Sequence, residues 1–301
     1  MQIGMIGLGR MGGNMARRLM RGGHDVVAYD PNPEAVESLG AEGASGAGSL
    51  SEMVSALATP RAVWVMVPDG PPTDATISEL RELLDSGDTV IDGGNSNYKD
   101  SMRHSEELAA SGITFLDAGT SGGIWGLAEG YSMMVGGDRA AYKRLESIFK
   151  TLAPSEDTGH GYVGPAGAGH FTKMIHNGIE YGMMQAFAEG FEILKAKDEF
   201  KLDLAQIAEI WREGSVVRSW LLDLTAEALH EDADLSGIQA YVDDSGEGRW
   251  TVEESIALSV PAPVIAASLQ ARFRSRQDQP FGVKLLAAMR NKFGGHPIKK
   301  A

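Results

Sequence analysis

The chain has 301 residues, 43% hydrophobic and 23% charged, which suits a soluble protein with one large domain or two ordinary ones. It has no cysteine, which excludes disulfides, thiolate metal sites and cysteine nucleophiles and fits a reducing cytoplasm. The net charge of −14 argues against nucleic-acid and membrane partners, and no apolar run reaches the roughly 20 residues of a membrane span. Glycine is in excess, at 38 residues, which indicates tight loops around ligands.

The first part of the chain alternates strand patterns with helix patterns. Apolar strand patterns occur at 2–6, 25–30, 62–67, 89–92, 113–117 and 132–136. Helix patterns lie between them at 12–21, 33–39, 74–85, 100–111 and 138–150. This alternation predicts an α/β domain over 1–166, with a doubly wound, parallel sheet of Rossmann type that helices cover on both faces.

The pattern changes at a glycine-rich stretch, Gly164 to Gly169. Beyond it only helix patterns follow, at 170–196, 203–213, 216–229, 252–258, 262–275 and 282–291. We therefore predict an all-helical domain over 167–290. The last residues, 291–301, have no apolar period and are predicted to form a short C-terminal tail.

A glycine motif stands between the first predicted strand and the first predicted helix. It consists of Gly7, Leu8, Gly9, Arg10, Met11 and Gly12, the pattern G-x-G-x-x-G. At this position the glycines allow the turn, the approach of a pyrophosphate and the packing of helix on strand. We therefore predict that these residues bind a dinucleotide, with its phosphates at the helix N-terminus. A glycine turn without a ligand is the alternative.

Asp30 ends the second predicted strand, 18 residues after Gly12. A carboxylate there accepts hydrogen bonds from the adenosine ribose and repels a 2′-phosphate. The segment Pro31-Asn32-Pro33 that follows offers no arginine to neutralise that phosphate. NAD is therefore favoured over NADP. Alternatively, Asp30 only caps the helix that begins near Pro33.

Four polar residues share one face of the predicted helix 170–196, within an arc of about 100°. They are Lys173, His176, Asn177 and Glu180. A buried lysine without a counter-ion loses its proton more easily, so Lys173 is a candidate base. Glu180 lies about 10 Å further along the helix axis and is a candidate for a second proton transfer. A solvated polar face is the alternative.

Four segments stand out as motifs: Ile91 to Ser96 (IDGGNS), Ser121-Gly122-Gly123, Gly169 to Tyr181, and Gly246 to Thr251 (GEGRWT). They resemble hallmark motifs of the 6-phosphogluconate dehydrogenase family, and the matches run from residue 4 to 296. The last segment has Arg249 where longer members have lysine, and the helical part is shorter, so the chain resembles the short, NAD-preferring branch. The wider β-hydroxyacid dehydrogenase superfamily does not usually share the run His176–Tyr181 or the last motif.

The resemblance implies oxidative decarboxylation of 6-phospho-D-gluconate to D-ribulose 5-phosphate and CO2, with reduction of NAD, in gluconate utilisation and the pentose phosphate pathway. Lys173 is then the base, Glu180 the acid that protonates carbon 1 of the product, and no metal is needed. One alternative is a non-decarboxylating, NAD-dependent dehydrogenase or reductase of a small 3-hydroxy acid, which would not need several phosphate-binding arginines. Another is a non-catalytic dinucleotide sensor, which would not need Lys173 or Glu180.

The resemblance also implies the binding residues. The carboxylate and hydroxyl end of the substrate falls to Ser121, Gly122, Gly123, His176 and Asn177. The phosphate falls to Tyr181, Arg249, Thr251 and Arg272. Asn95 is expected to bridge nicotinamide and substrate, and Val67 to contact the coenzyme. Each assignment has an ordinary structural alternative. Ser121 could be a loop residue, Asn95 a turn residue and His176 a core residue, and the arginines could lie on the surface.

The segment from Arg290 to His296 resembles the family's R-x-x-F-G-x-H, which reaches into the neighbouring subunit's site. The resemblance therefore implies a homodimer, with further pairing of dimers left open. In it, 167–290 forms the substrate and dimerisation domain, and Arg290 and His296 complete the partner's site. A frayed basic end is the alternative.

Overall fold

The protein forms two compact units in the computed structural model, which describes residues 1–299. The first unit is Met1–His176 and the second begins at Asn177. The predicted tail over 291–301 ends in residues 300 and 301, which lie outside the described residues. Among the described residues, no helix combines the length and the hydropathy of a membrane span.

The first unit is built on an eight-stranded sheet. Its strands are β1 (Gln2–Ile6), β2 (Asp25–Tyr29), β3 (Ser45–Gly46), β4 (Ala62–Val65), β5 (Thr89–Asp92), β6 (Thr114–Ser121), β7 (Ser132–Gly137) and β8 (His160–Gly164). Their order is β3-β2-β1-β4-β5-β6-β7-β8, with parallel neighbours except for the antiparallel pair β6 and β7. The predicted doubly wound α/β class is confirmed.

Helices cover both faces of this sheet. They are α1 (Arg10–Arg21), α2 (Pro33–Ala41), α3 (Leu50–Ala56), α4 (Pro71–Leu83), α5 (Tyr98–Ala109), α6 (Gly126–Glu129), α7 (Arg139–Arg144) and α8 (Glu146–Leu152). Because side chains alternate along a strand, the apolar residues of β4 serve two cores. Trp64 packs in the cluster that contains Leu19 of α1 and Phe149 of α8, and Val63 packs in the cluster that contains Leu80 of α4.

Several elements differ from the predicted ones. The strand patterns missed β3 and β8, and the predicted helix 138–150 is the two helices α7 and α8. The pair β6 and β7 is antiparallel because its connection, 122–131, is shorter than the roughly dozen residues of a parallel crossover. Helix α3 was also missed, although Ser49 accepts a hydrogen bond from the main-chain N–H of Glu52 at 3.1 Å and thereby caps it.

The second unit is helical, as predicted. Helix α9 (Ala168–Ala196) begins in the first unit, and α10 (Leu204–Arg212), α11 (Trp220–Glu231), α12 (Glu247–Ala257), α13 (Pro263–Ser275) and α14 (Phe281–Gly294) follow. The unit boundary therefore falls inside α9, later than the predicted change near 166. Helix α14 also continues beyond 291, the predicted start of the tail, and ends where Gly295 adopts a φ of +65° and donates to the carbonyl of Asn291.

Candidate active site

The predicted ligand residues of the first unit follow the carboxyl ends of its parallel strands. Gly7 follows β1, Asp30 follows β2, Val67 lies just beyond β4, Asn95 lies beyond β5, and Ser121 ends β6. Parallel strands present their carboxyl ends at one edge of a sheet, where open α/β folds bind their ligands. The fold therefore gathers these residues at one edge.

The three glycines of the motif meet three different requirements. Gly7 has a φ of +87°, and a Cβ there would collide with the carbonyl of Met66. A Cβ on Gly12 would collide with the carbonyl of Gly7, so α1 and the loop touch at main-chain distance. A Cβ on Gly9 would meet no atom within 4 Å. Gly9 therefore borders open space, where a ligand can approach the main chain.

The amino end of α1 is suited to an anion. Gly9 is the N-cap, and within the described chain no side chain caps this end and no acidic residue lies in its first turn. The main-chain N–H groups of this turn are thus available to phosphate oxygens, which the helix dipole also attracts. Leu8 and Met11 are half-buried and Arg10 is exposed, so the residues present fit a pyrophosphate.

Asp30 is held against the glycine loop. Its Oδ2 accepts the N–H of Leu8 at 2.6 Å, and its Oδ1 accepts the N–H of Asn32 at 2.8 Å. Helix α2 is capped by Asn32, whose side chain accepts the N–H of Glu34 at 3.1 Å. Asp30 is therefore not the cap of α2, and its carboxylate lies beside the loop expected to hold the dinucleotide.

The loop that carries Asn95 is braced from within the protein. The carboxylate of Asp92 accepts the N–H of Gly94 at 3.0 Å and the hydroxyl of Ser96 at 2.7 Å. A Cβ on Gly93 would collide with the indole of Trp64, so this part of the loop lies directly on the core. Asn95 itself is exposed, while Asp92 holds the turn.

Lys173 lies deep in the first unit, with 5% of its surface exposed. Helix α9 packs so closely on β6 that a Cβ on Gly119 would lie 2.5 Å from the Cβ of Lys173. Two residues later β6 ends at Ser121, and Gly122 and Gly123 follow with φ angles of +132° and +51°. The stem of Lys173 thus lies beside the strand that carries this loop, and the alternative of a solvated polar face is wrong for this lysine.

Asn177 takes part in a buried polar network of the second unit. Its amide donates to the carboxylate of Glu247, which is 2% exposed. The hydroxyl of Ser245 also donates to this carboxylate, at 3.4 Å, and the N–H of Ser245 donates to the phenol oxygen of Tyr181 at 3.1 Å. Glu247 and Ser245 therefore connect Asn177 with Tyr181, two residues predicted at opposite ends of the substrate.

Thr251 lies where α9 and α12 pack closely. A Cβ on Gly178 would lie 2.6 Å from the Cγ2 of Thr251, and Thr251 is 3% exposed. Its hydroxyl donates to the carbonyl of Glu247 at 2.8 Å. The contacts of Thr251 in this structure are therefore with the protein's own helices.

The predicted phosphate residues Arg272 and Tyr181 are in contact. The guanidinium carbon of Arg272 lies 3.5 Å from the centre of the Tyr181 ring, a cation–π arrangement. Its Nη1 donates to the carbonyl of Asp243 at 2.9 Å. The tyrosine and the arginine thus form one group.

Arg249 forms a two-pronged ion pair with Asp244, at 2.6 and 3.1 Å. Arg276 shares the same carboxylate at 2.9 Å. Hydrogen bonds from Arg249, and then from Arg276, lower the pKa of Asp244 below its usual value. Arg276 also lies 3.9 Å from the carboxylate of Asp243, so these two guanidinium groups are balanced by two carboxylates.

The remaining predicted residues are less closely grouped. His176 and Glu180 are half-buried on α9. Arg290 is exposed near the end of α14, and His296 is exposed beyond Gly295. Within residues 1–299, no cluster of three His, Asp or Glu side chains is placed to hold a metal ion.

Sequence reasoning gave no role to Glu247, Ser245, Arg276 or Asp117. Glu247 lies inside a recognised motif, but only the fold shows that it is buried against Asn177. Arg276 follows Arg272 by four residues, so the helical spacing of the two arginines was a usable signal.

A glycine loop open at a helix N-terminus, an acidic residue after β2 and a buried lysine beside a glycine turn define a dinucleotide-dependent dehydrogenase. Residues 2–164 match the NAD binding domain of 6-phosphogluconate dehydrogenase, and residues 169–281 match the C-terminal domain of that enzyme. The chain belongs to the 6-phosphogluconate dehydrogenase family, which confirms the resemblance seen in its motifs.

Two relatives match the chain over its whole length. YqeC of Bacillus subtilis (strain 168) is 48% identical over 300 residues and is covered completely. The NAD(+)-dependent, decarboxylating 6-phosphogluconate dehydrogenase of Haloferax volcanii is 44% identical over 301 residues, which cover 99% of it. Among solved structures, the 6-phosphogluconate dehydrogenase of Plasmodium falciparum, studied with NADP+ and with 6-phosphogluconate, is 30% identical with a TM-score of 0.85. That match covers all of this chain and 66% of the other.

Proposed function

We propose that this chain catalyses the oxidative decarboxylation of 6-phospho-D-gluconate to D-ribulose 5-phosphate and CO2, with NAD as coenzyme. The observation that supports the proposal most directly is the position of Lys173, which is buried and packs on Gly119 of β6. Gly119 stands two residues before Ser121, the first residue of the loop Ser121-Gly122-Gly123. A lysine held away from water beside a substrate-binding loop is placed to exchange a proton with a bound hydroxyl. Membership of the family supports this substrate over a small 3-hydroxy acid.

Lys173 begins the reaction as a neutral amine that takes the proton of the 3-hydroxyl. Bound NAD supplies the acceptor for the hydride of carbon 3. The resulting 3-keto acid loses CO2 because the carbonyl accepts the electron pair of the broken bond. Lys173, now an ammonium, returns its proton to that oxygen, which gives an enediol. Glu180, seven residues along the same helix, protonates the carbon that becomes carbon 1 of the product, while neutral Lys173 takes back the proton of the enediol hydroxyl and the ketone forms.

The binding groups divide by the end of the substrate that they hold. Ser121, the N–H groups of Gly122 and Gly123, His176 and Asn177 hold the carboxylate and hydroxyls, with Asn95 next to the nicotinamide. Tyr181, Arg249, Thr251 and Arg272 hold the phosphate, and the contact between Arg272 and Tyr181 supports this assignment. Arg276 joins them, since it shares Asp244 with Arg249.

The coenzyme is held by the loop Gly7–Gly12, Asp30, Val67 and Asn95. NAD is preferred to NADP because the carboxylate of Asp30, fixed by the N–H of Leu8, would repel a 2′-phosphate. The naming of the full-length Haloferax volcanii relative as NAD(+)-dependent supports this preference.

The working protein is a cytoplasmic homodimer. Its support is the exposed apolar surface of α14, where Phe281 and Leu286 are 77% and 57% exposed. An exposed apolar surface on a helix is suited to burial against a second copy of the chain. Arg290 and His296, on and after this helix, complete the partner's active site.

The test combines an assay with two pairs of matched variants. Purified protein with 6-phosphogluconate and NAD is expected to form NADH and CO2 in equal amounts. Lys173→Met abolishes both, while Lys195→Met, an exposed lysine at the other end of α9, leaves both unchanged. Glu180→Gln lowers product protonation more than hydride transfer, and Glu189→Gln on the same helix is its control. NADH without CO2 would reject decarboxylation.

A further inference from the structure

The first turn of α9 is anchored by a carboxylate from β6. Asp117 is fully buried, and its Oδ1 accepts the N–H of Gly167 while its Oδ2 accepts the N–H of His170, both at 2.8 Å. These N–H groups stand at the start of a helix, where main-chain donors lack partners in the preceding turn. Both oxygens of one side chain thus define where the helix begins.

Three glycines bring this turn into main-chain contact with the sheet. A Cβ on Gly169 would collide with the carbonyl of Asp117, and one on Gly136 would lie 2.6 Å from Asp117 Oδ1. A Cβ on Gly119 would lie 2.5 Å from the Cβ of Lys173. Strand and helix are in direct contact at these glycines, so a movement of the helix start moves the stem of Lys173.

A second tie holds the same turn from another element. The Oγ of Ser101, on α5, lies 2.6 Å from the Nδ1 of His170, and both side chains are buried. Helix α5 directly follows the loop that carries Asn95. The turn is therefore fixed both to β6 and to the element behind the proposed nicotinamide contact.

We propose that Asp117, assisted by Ser101, is a positioning residue for Lys173. Its carboxylate holds the helix start so that the amine meets the substrate hydroxyl, and it touches neither substrate nor coenzyme. This inference rests on the proposed role of Lys173 as the base. A misplacement of about 1 Å can lower a rate by about a hundredfold, so a single anchor at this point is sufficient to control kcat.

The test variant is Asp117→Asn, which offers one acceptor oxygen in place of two. Its control is Asp88→Asn in the same unit. Asp88 is 1% exposed, accepts the N–H groups of Arg61 and Asp85 at 2.6 and 3.0 Å, and precedes β5 at the opposite edge of the sheet. The control also loses an ion pair with Arg61, so its unfolding temperature should fall at least as far.

We expect Asp117→Asn to lower kcat by about 30- to 100-fold. The Kd for NAD and the KM for 6-phosphogluconate should stay within about threefold, and Asp88→Asn should keep kcat within about twofold. Substrate deuterated at carbon 3 gives a further readout, because misplacement slows the chemical step and raises the isotope effect on kcat. A mere loss of folded enzyme lowers the rate and leaves the isotope effect unchanged.

The proposal is overturned if Asp117→Asn keeps kcat within about threefold, leaves the isotope effect unchanged, or loses no more activity than Asp88→Asn. If Asp117→Asn does not fold, Ser101→Ala decides, with an expected loss of about three- to tenfold and a raised isotope effect; an unchanged kcat overturns the proposal. Lys173→Met, measured in parallel, separates the two inferences. Its retained activity would reject the proposed base, whereas its inactivity beside a normal Asp117→Asn would reject only the positioning role.

Discussion

The open side of Gly9 allows fold stability and coenzyme binding to be separated by one methyl group. Gly9 has φ −59° and ψ −173°, a conformation that alanine adopts, and a Cβ there meets no atom within 4 Å. Gly9→Ala restricts the unfolded chain, which stabilises by about 0.4–1 kcal/mol, but alanine is a poorer N-cap than glycine, which costs a similar amount, so the net change should be small. In a unit of this size, 1 kcal/mol corresponds to a change of about 2–4 °C in Tm, so the Tm of Gly9→Ala should stay within a few degrees of wild type.

The same methyl group should weaken NAD binding. It would occupy the space through which the pyrophosphate reaches the main-chain N–H groups, and one hydrogen bond to a charged group contributes about 1.5–3 kcal/mol. The expected rise in Kd is therefore about tenfold to a hundredfold. Calorimetric titration with NAD and thermal unfolding of the free enzyme measure both effects.

Gly12→Ala is the matched comparison, because its Cβ would collide with the carbonyl of Gly7. Overpacking of this kind costs about 1–3 kcal/mol, so Tm should fall. An unchanged Kd in Gly9→Ala would refute the assignment of the open side of Gly9 to the coenzyme. A fall in its Tm equal to that of Gly12→Ala would refute the packing argument.

Three further predictions follow from single contacts. Replacing Asp30 by Ser together with Asn32 by Arg should raise the NADP-to-NAD ratio of kcat/KM at least about tenfold. The double variant should lose about 1 kcal/mol of stability, because Asn32 caps α2. An unchanged ratio would mean that other residues determine the coenzyme preference. Because its pKa is lowered in the folded state, Asp244 stabilises the fold above its unfolded pKa of about 3.9, and this contribution is lost as pH falls through the lower, folded pKa. In Asp244→Asn, Tm should therefore fall less steeply as the pH is lowered through this range. An identical dependence of Tm on pH would contradict the pairing. The variants Lys173→Ala and Arg290→Ala, refolded together, should recover up to about a quarter of wild-type activity. Random pairing makes half the dimers mixed, and each mixed dimer has one intact site of two. No recovery, with mixed dimers confirmed by mass, would reject the shared site.

Most strands of the first unit could be predicted from the sequence because they are buried on both faces of the sheet. The segments that form β1, β4 and β5 are short apolar runs between helix patterns, and such runs are typical of buried parallel strands. Strand β8 was missed because HGYVG has two glycines and no apolar run. The direction of β7 depends on the length of the connection after Ser121, which a strand pattern does not contain.

For the candidate site too, some residues could be predicted from local motifs, and others depend on contacts between distant parts of the chain. Local motifs single out the glycine loop, Asn95 and Lys173 as candidate site residues, because each motif has particular residue types at fixed spacing. Asp117 could not be assigned a role, since its hydrogen-bond donors lie 50 and 53 residues later in the chain. Glu247 lies 70 residues from Asn177, so its contact also depends on the fold alone.

The glycines beneath α9 have a consequence for how this enzyme could evolve. Gly119, Gly136 and Gly169 already carry the smallest residue, so a substitution at any of them adds atoms where strand and helix touch. The packing around Lys173 therefore cannot change by single small substitutions at these glycines. By contrast, Ile124 and Trp125 are 56% and 43% exposed in the turn after Gly123. Substitutions are therefore tolerated more readily in that turn than around Lys173, whose position is inherited unchanged.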